Sequence, residues 1–285
     1  MFPWKPAAGS ILGRIGVENL SGLIDVILER RSIRKFDKNR KIPEEVSKLI
    51  LEAGINAPSA GNIQPRTFII VENENVKAQL YELCEKQRFM LDAPLWIVVC
   101  VDLHRHLRAS ELSGVKYDFT GILPYTFAVL DTALSLENMV LAAEALGLGS
   151  VIIGSVIEHP EKAKQILRLP SHCLAISILC IGYPAKSPPK RKKWNYEVIV
   201  CKDHYREITK EDVENYWKEL MVAGLKRAGK RLTEEEINEI LKKRSYGKAY
   251  SAHYTEEFIR EVNRKLISYL VNNGFLKRSN HNKAL

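Results

Sequence analysis

The chain has 285 residues, which is enough for one large domain or two modest ones with a full core. Its hydrophobic content of 46% and charged content of 27% are ordinary for a globular protein, so composition alone excludes a disordered or fibrous chain. No apolar run is expected to reach the roughly 18 residues that a membrane span needs, and the N-terminus lacks a signal-peptide pattern. A cytoplasmic protein without a membrane partner is therefore predicted.

The distribution of charge and of cysteines argues against several further classes of protein. The net charge of +9 is spread along the chain, apart from the run Lys190-Arg191-Lys192-Lys193. A run of four is usually a solvated surface, and no aromatic-interleaved basic motif accompanies it, so nucleic-acid binding is not expected. The five cysteines lie far apart without a C-x-x-C pair, which argues against a disulfide framework and against a metal site.

Hydrophobic periodicity predicts alternating helices and strands over most of the chain. Apolar residues at helical spacing predict helices over 25–29, 43–53, 76–84 and 127–146, and continuous apolar runs predict strands over 67–71, 95–101 and 174–181. The block 147–154 is expected to end the long helix and turn into another strand. Beyond about Tyr205, three threonines before acidic residues (Thr209, Thr233 and Thr255) predict helix starts, with a capping box at Thr233, and the last helix should end before Gly274.

Two short segments carry candidate binding chemistry. The segment Arg30-Arg31-Ser32-Ile33-Arg34-Lys35-Phe36 offers guanidinium forks and a hydroxyl, which match the oxygens of a phosphate dianion, although it could also be a solvated loop. Pro58-Ser59-Ala60-Gly61-Asn62-Ile63-Gln64 combines small residues, which permit close backbone approach, with amide and hydroxyl donors. Such a loop is often plain connection. The sequence by itself leaves both alternatives open.

Together with two further blocks, these segments resemble the FMN-dependent nitroreductase family. The further blocks are Gly147-Leu148-Gly149-Ser150-Val151-Ile152-Ile153-Gly154 and Ile181-Gly182-Tyr183-Pro184, and the four occur in the family's order within residues 24–204. The resemblance implies an α+β fold with a central, mostly antiparallel sheet flanked by helices, and a homodimer with FMN at the interface. It also implies ping-pong hydride transfer from NADH or NADPH, as a transient donor, through flavin N5 to a small electrophilic acceptor such as a nitroaromatic or a quinone.

The resemblance also implies roles for individual residues, none of them a catalytic side chain. It assigns Arg30, Arg31 and Ser32 to the phosphate and ribityl end of FMN, and Arg34 to the N1–C2 edge of the flavin, where a fixed cation favours the reduced form. It places Gln87 at the pyrimidine ring, although an exposed loop amide is equally compatible. Further implied FMN contacts are the partner-subunit loop residues Pro58, Ser59, Ala60, Asn62 and Gln64, the backbone of Ile152, Ile153 and Gly154 near N5, and Arg191 and Lys192 at the phosphate, with the register among residues 190–193 open.

Several features fall outside the family pattern or remain undecided. Arg66 stands where the family usually has tryptophan, and Asp131 would need a partner if it is buried in the long helix. Tyr117 and Phe119 could stack on a substrate or pack routinely. The chain is predicted to divide into an N-terminal arm (1–20), an FMN-binding domain (21–204) and a helical extension (205–285) of unassigned role. The rival hypothesis is a degenerate flavin domain that serves as a basic adaptor through this extension.

Overall fold

A computed structural model describes residues 21–227 and 233–277 of the chain, and these residues form two compact units. Residues 21–188 and 262–277 belong to the first unit, and residues 189–227 and 233–261 belong to the second. The predicted boundary between residues 204 and 205 follows the extent of the resemblance and stays a prediction. The compact units have limits of their own, at residues 188 and 262. The predicted N-terminal arm lies outside the described residues.

The first unit alternates helices and strands, as the periodicity predicts. Its elements are α1 (Ser21–Glu29), α2 (Glu44–Ile55), β1 (Arg66–Ile70), α3 (Glu74–Leu83), β2 (Leu95–Asp102), α4 (His104–Leu112), α5 (Ile122–Ala145), β3 (Gly149–Ile153), α6 (Pro160–Leu167) and β4 (Cys173–Gly182). Short 3-10 turns cover Ala60–Asn62, Arg88–Met90 and Ser155–Glu158. Each predicted helix and strand is confirmed to within a few residues, whereas α4 and α6 were not predicted.

The four strands form one antiparallel sheet in the order β1-β2-β4-β3, which confirms the predicted sheet. All eight residues of β2 are buried, as expected for a continuous apolar run covered on both faces. Side chains of Trp96, Val98 and Cys100 pack on one face with α3 and α6, while those of Ile97 and Val99 pack on the other with α2 and α5. Core side chains therefore cover both faces of the central strands.

Helix α5 is the central helix of this core. By length and composition it could cross a bilayer, so the expectation that no apolar run is long enough was wrong. Its side chains at Ala128, Thr132, Met139, Val140 and Ala143 are fully buried, and the helix packs on α1, α2 and the sheet. Packing within the protein thus accounts for much of its apolar composition.

The C-terminal part of the chain returns to the first unit. Helix α11 (Glu256–Asn272) begins in the second unit, and its residues from Val262 onward belong to the first. Tyr269, Leu270 and Phe275 are buried against Leu103 and other residues at one end of the sheet. The Tyr269 hydroxyl donates to the Cys173 carbonyl (2.6 Å). This end of the predicted extension is therefore part of the core of the first unit.

The second unit is helical. It contains α7 (Tyr196–Ile199), α8 (Lys210–Arg227), α9 (Glu234–Lys243), α10 (Tyr246–Ser251) and the start of α11. The predicted capping box is confirmed, because Thr233 and Glu236 exchange side-chain and backbone hydrogen bonds. An aromatic cluster supplies its packing: the rings of Trp194 and Tyr216 stack at 3.8 Å, and Tyr246 lies against both.

Candidate functional site

Backbone hydrogen bonds bring three of the four sequence blocks together. The Ile33 N–H donates to the Ser150 carbonyl (2.8 Å), next to a parallel bridge between Ser32 and Ser150. Farther along, the Asp37 N–H donates to the Tyr183 carbonyl (2.8 Å). The basic segment 30–37 therefore runs along the outer edge of β3 and on to the chain after β4, although the two bridged serines are 118 positions apart in the sequence.

Two glycines permit this close approach. A Cβ at Gly149 would lie 2.9 Å from the Ile33 Cβ and closer still to its Cγ1, and a Cβ at Gly182 would lie 2.9 Å from the Phe36 ring. Ile33 and Phe36 are buried, whereas Arg34 between them is exposed. The apolar residues of the segment thus anchor it on the sheet, and Arg34 stays at the surface.

Unpartnered polar atoms lie at the start of the segment. Arg30 Nε and Ser150 Oγ are buried and have no hydrogen-bond partner among the described residues. The neighbouring Arg31 donates weakly from Nη1 to the Pro188 carbonyl (3.4 Å) and pairs with Glu29 (3.5 Å). A buried guanidinium N–H and a buried hydroxyl are donors that a phosphate group could use, so this position fits the phosphate end of FMN.

Glu144 lies beside the same arginines. Burial raises the pKa of its carboxyl group to about 7, and the positive charges of Arg30 and Arg31 oppose that shift. Its Oε1 atom has no hydrogen-bond partner among the residues that the structure describes. The carboxyl group therefore changes charge near neutral pH within the basic cluster, a feature that the sequence did not reveal.

A second group of predicted residues gathers where β3 ends. Gln87 Nε2 donates to Ser155 Oγ (3.3 Å), and the Arg34 guanidinium lies 5.7 Å from the centre of the Phe89 ring. Gln87 is thus bonded to the residue that follows Gly154, where an added Cβ would meet nothing within 4 Å. Open space at Gly154 fits the approach of a flat ring to the backbone there.

The side chains of the two isoleucines in β3, Ile152 and Ile153, differ in exposure. The side chain of Ile152 is 39% exposed, whereas that of Ile153 is buried in the core. Any contact of Ile153 with a ligand would therefore have to come from its backbone, which is the kind of contact that the resemblance implies.

The loop 58–64 is held by its own side chains and by α5. Ser59 Oγ accepts the Gln64 N–H (2.8 Å), and Gln64 Nε2 donates to Asn62 Oδ1 (3.1 Å). The Ala60 N–H donates to Asp131 Oδ2 (3.0 Å), so Asp131 has the partner that its burial requires. Gly61, Asn62 and Gln64 adopt positive φ angles of 57°, 56° and 53°. Glycine and asparagine accept this conformation most readily.

Arg66 is buried behind this loop. Its guanidinium donates to the carbonyls of Ile55 (2.7 Å), Ala57 (2.9 Å) and Pro58 (3.3 Å). Burial lowers the pKa of Arg66, and the negative charge of Asp131 opposes that shift. The departure from the family pattern is therefore a structural anchor of the loop. The sequence marked both Arg66 and Asp131 as unusual but could not pair them.

The predicted phosphate contacts Arg191 and Lys192 belong to the second unit. Lys192 Nζ pairs there with Glu219 (2.5 Å), and the predicted phosphate role of both residues stays a prediction.

The two aromatic residues Tyr117 and Phe119 pack with His106 in the first unit. The three rings lie against one another, and His106 Nε2 also contacts the Tyr117 hydroxyl. Tyr117 remains 45% exposed, so packing does not exclude a substrate contact.

Comparison with known proteins places the chain in a family. The Nitroreductase family model matches residues 27–88 and 83–183, which is more than half of the chain. A relative named FMN reductase [NAD(P)H] from Bacillus subtilis is 30% identical over 188 residues, or 65% of this chain and 75% of the relative. The NADPH-flavin oxidoreductase of Vibrio harveyi is 28% identical over 197 residues, or 69% of this chain and 80% of that protein. The chain belongs to the nitroreductase family.

Solved structures of similar fold match this chain over more of its length than the family model does. The structure of NfrA2 from B. megaterium superimposes with a TM-score of 0.79 at 26% identity, covering 90% of this chain and 99% of that one. Residues 1–204 make up less than three quarters of the chain, so the structural match continues into the C-terminal part. The structural match therefore extends beyond residue 204, where the sequence blocks of the resemblance end.

Proposed function

We propose that this chain is an FMN-dependent oxidoreductase that takes hydride from NADH or NADPH and delivers it to a small electrophilic acceptor. The observation that carries the proposal is the assembly of Arg30, Arg34 and Gln87 along β3. At one end lie buried donors that have no partner within residues 21–227 and 233–277, and at the other end lies open space at Gly154. FMN, when bound, supplies the group that accepts and releases hydride. Membership of the nitroreductase family supports the same cofactor and the same class of donor.

Each group of residues in the site would then contact a different part of FMN. Arg30 and Ser150 present buried N–H and O–H donors to the phosphate, and Arg31 and Ser32 flank them. Arg34, which cannot lose its proton near neutral pH, holds a positive charge that favours the additional negative charge of the reduced cofactor. Gln87 offers an amide at the ring, and the backbone of Ile153 and Gly154 lies where β3 ends.

We also propose a homodimer in which the loop 58–64 reaches the FMN of the partner subunit. Exposed apolar side chains support an interface: on α5 Phe127, Leu130 and Leu134 are 39%, 56% and 47% exposed, and on α1 Ile27 and Leu28 are 41% and 43% exposed. Apolar side chains concentrated on neighbouring helices are typical of surfaces that pair with another chain. The Pro58, Ser59, Ala60, Asn62 and Gln64 contacts belong to this part of the proposal.

An absorption spectrum of the purified protein tests the proposal. We expect a flavin spectrum, either as isolated or after incubation with FMN, that bleaches on anaerobic addition of NADH or NADPH and recovers on addition of a quinone or a nitroaromatic compound. Riboflavin, which lacks the phosphate, is the matched control and should bind more weakly because Arg30 and Ser150 lose their ligand. A protein that binds no FMN would contradict the proposal and favour the adaptor hypothesis.

A further inference from the structure

The first residue of β1, Arg66, is a buried charged residue, which is unusual at the start of a strand. Arg66 is only 8% exposed, and its three hydrogen bonds end on backbone carbonyls of the chain that enters the loop 58–64. A buried guanidinium is unfavourable unless its donors are satisfied and its charge is opposed. Here both conditions are met, which indicates a specific arrangement rather than an incidental one.

We propose that Arg66 is a positioning residue for FMN, which fixes the cofactor-facing loop 58–64 through the carbonyls of Ile55, Ala57 and Pro58. This inference rests on the proposed function, since it takes the loop to contact FMN. Arg66 itself does not touch the cofactor. It acts by holding the backbone on which Ser59, Asn62 and Gln64 are carried.

The geometry of the guanidinium suits this task. Nη2 donates to both Ile55 and Ala57 (2.7 and 2.9 Å), and Nη1 donates to Pro58 (3.3 Å), so one rigid fork joins the end of α2 to the start of the loop. A lysine donates from one nitrogen atom at the end of a flexible side chain, so it cannot reproduce the planar fork of the guanidinium. Tryptophan, which the family usually has here, has one donor and would leave carbonyls without a partner.

Asp131 completes the arrangement from the opposite side. Its carboxylate accepts the Ala60 N–H (3.0 Å) and carries the negative charge that faces Arg66. Arg66 thus holds carbonyls from the end of α2 to Pro58, and Asp131 holds the Ala60 N–H, so the chain is fixed on both sides of Ser59. Removing one member leaves the other as an uncompensated buried charge.

The positive φ angles give a reason why such fixing is needed. Asn62 and Gln64 are non-glycine residues in the left-handed region, a conformation that is uncommon and persists only when the surroundings enforce it. The bonds of Ser59 Oγ with the Gln64 N–H and of Gln64 Nε2 with Asn62 Oδ1 span these two residues, and Arg66 fixes the carbonyls of Ala57 and Pro58 directly before Ser59. The loop is thus held in this conformation before a ligand arrives. Binding then requires less ordering of the loop, which increases affinity.

The test compares FMN binding by the full-length apo-protein and by Arg66→Gln and Arg66→Lys variants. We expect the dissociation constant for FMN to rise at least 10-fold in Arg66→Gln and less in Arg66→Lys, and the visible circular dichroism of bound FMN at saturation to change. Arg105→Gln is the matched control: Arg105 donates to Thr67 (2.6 Å) on the same strand, but it is not bonded to the loop. Its dissociation constant should stay within about 2-fold of the parent value.

A double variant separates positioning from loss of fold. Because Arg66→Gln leaves the Asp131 carboxylate unopposed, Arg66→Gln with Asp131→Asn should bind FMN more tightly than Arg66→Gln alone. If Arg66→Gln does not fold, Arg66→Lys and Asp131→Asn carry the same measurements. An Arg66 variant that is less stable but keeps the parent affinity and circular dichroism would overturn the inference and leave the proposed function intact. Absence of FMN binding by the unsubstituted protein would refute both.

Discussion

Replacing Glu144 by glutamine should stabilise the apo-protein at pH 8 and leave its stability nearly unchanged at pH 4. The carboxyl group has a pKa of about 7 in the folded protein, against 4.5 for an ordinary glutamate, because burial disfavours its charged form. Between these two values the unfolded chain releases the proton more readily than the folded chain. The contribution of Glu144 to the free energy of unfolding therefore falls as pH rises from about 4.5 to 7 and does not change further above that range.

The size of the effect follows from the same shift. Each pKa unit corresponds to about 1.4 kcal/mol, but the side chain is partly exposed and solvent screens it. After that discount, we expect a penalty of about 2 kcal/mol above pH 7, which glutamine removes because it stays neutral. For a chain of this size 1 kcal/mol changes Tm by roughly 2–4 °C, so Tm at pH 8 should rise by about 5 °C.

Thermal unfolding of the apo-protein at pH 4, 6 and 8 is the appropriate assay. The exposed Glu45→Gln variant, on α2, controls for the loss of one negative charge from the chain. The reasoning requires that the stabilisation by Glu144→Gln grow between pH 4 and 8. An equal change in Tm at all three pH values would refute it, since the carboxyl group would then not be titrating in this range.

Three further substitutions test the other contacts. Arg34→Ala should lower the reduction potential of bound FMN by an amount on the order of tens of millivolts, because a fixed cation is lost, and an unchanged potential would exclude Arg34 from the flavin edge. Gly149→Ala should destabilise by about 1–3 kcal/mol through its clash with Ile33, whereas Gly22→Ala, in an open helical position, should stabilise slightly; denaturant titration distinguishes the two. Tyr269→Phe should lower the free energy of unfolding by about 1 kcal/mol in the same titration, because it removes a buried hydrogen bond to β4, and no change would contradict that role.

The elements that sequence analysis found are those with a strong apolar pattern. The run over Leu95–Asp102 is buried on both faces and therefore predicts its own strand. Helix α4 has no buried residue, so it has no apolar stripe for periodicity to detect. Helix α6 is only eight residues long and buries Pro160 and Ala163, although proline at its first position was an available signal.

The site was only partly predictable, because its contacts join distant parts of the chain. Residues 30–34 suggest phosphate chemistry by their side chains, but nothing local pairs Ser32 with Ser150. The ordered resemblance to the nitroreductase family brought the blocks together in the prediction. It gave no information about Glu144 or about the partners of Arg66, since both depend on burial rather than on a motif.

The sheet order bears on how many chains form the site. Segment 30–37 lies along β3, at one edge of the sheet, whereas the loop 58–64 leads directly into β1, at the other edge. Three strand spacings separate β1 from β3, or roughly 14 Å. Within one subunit the Arg34 side and the loop therefore approach from opposite edges, with the buried strands β2 and β4 between them. A second copy of the chain that presents its own loop to the β3 edge would bring the two groups to one cofactor, and this separation supports the proposed dimeric site.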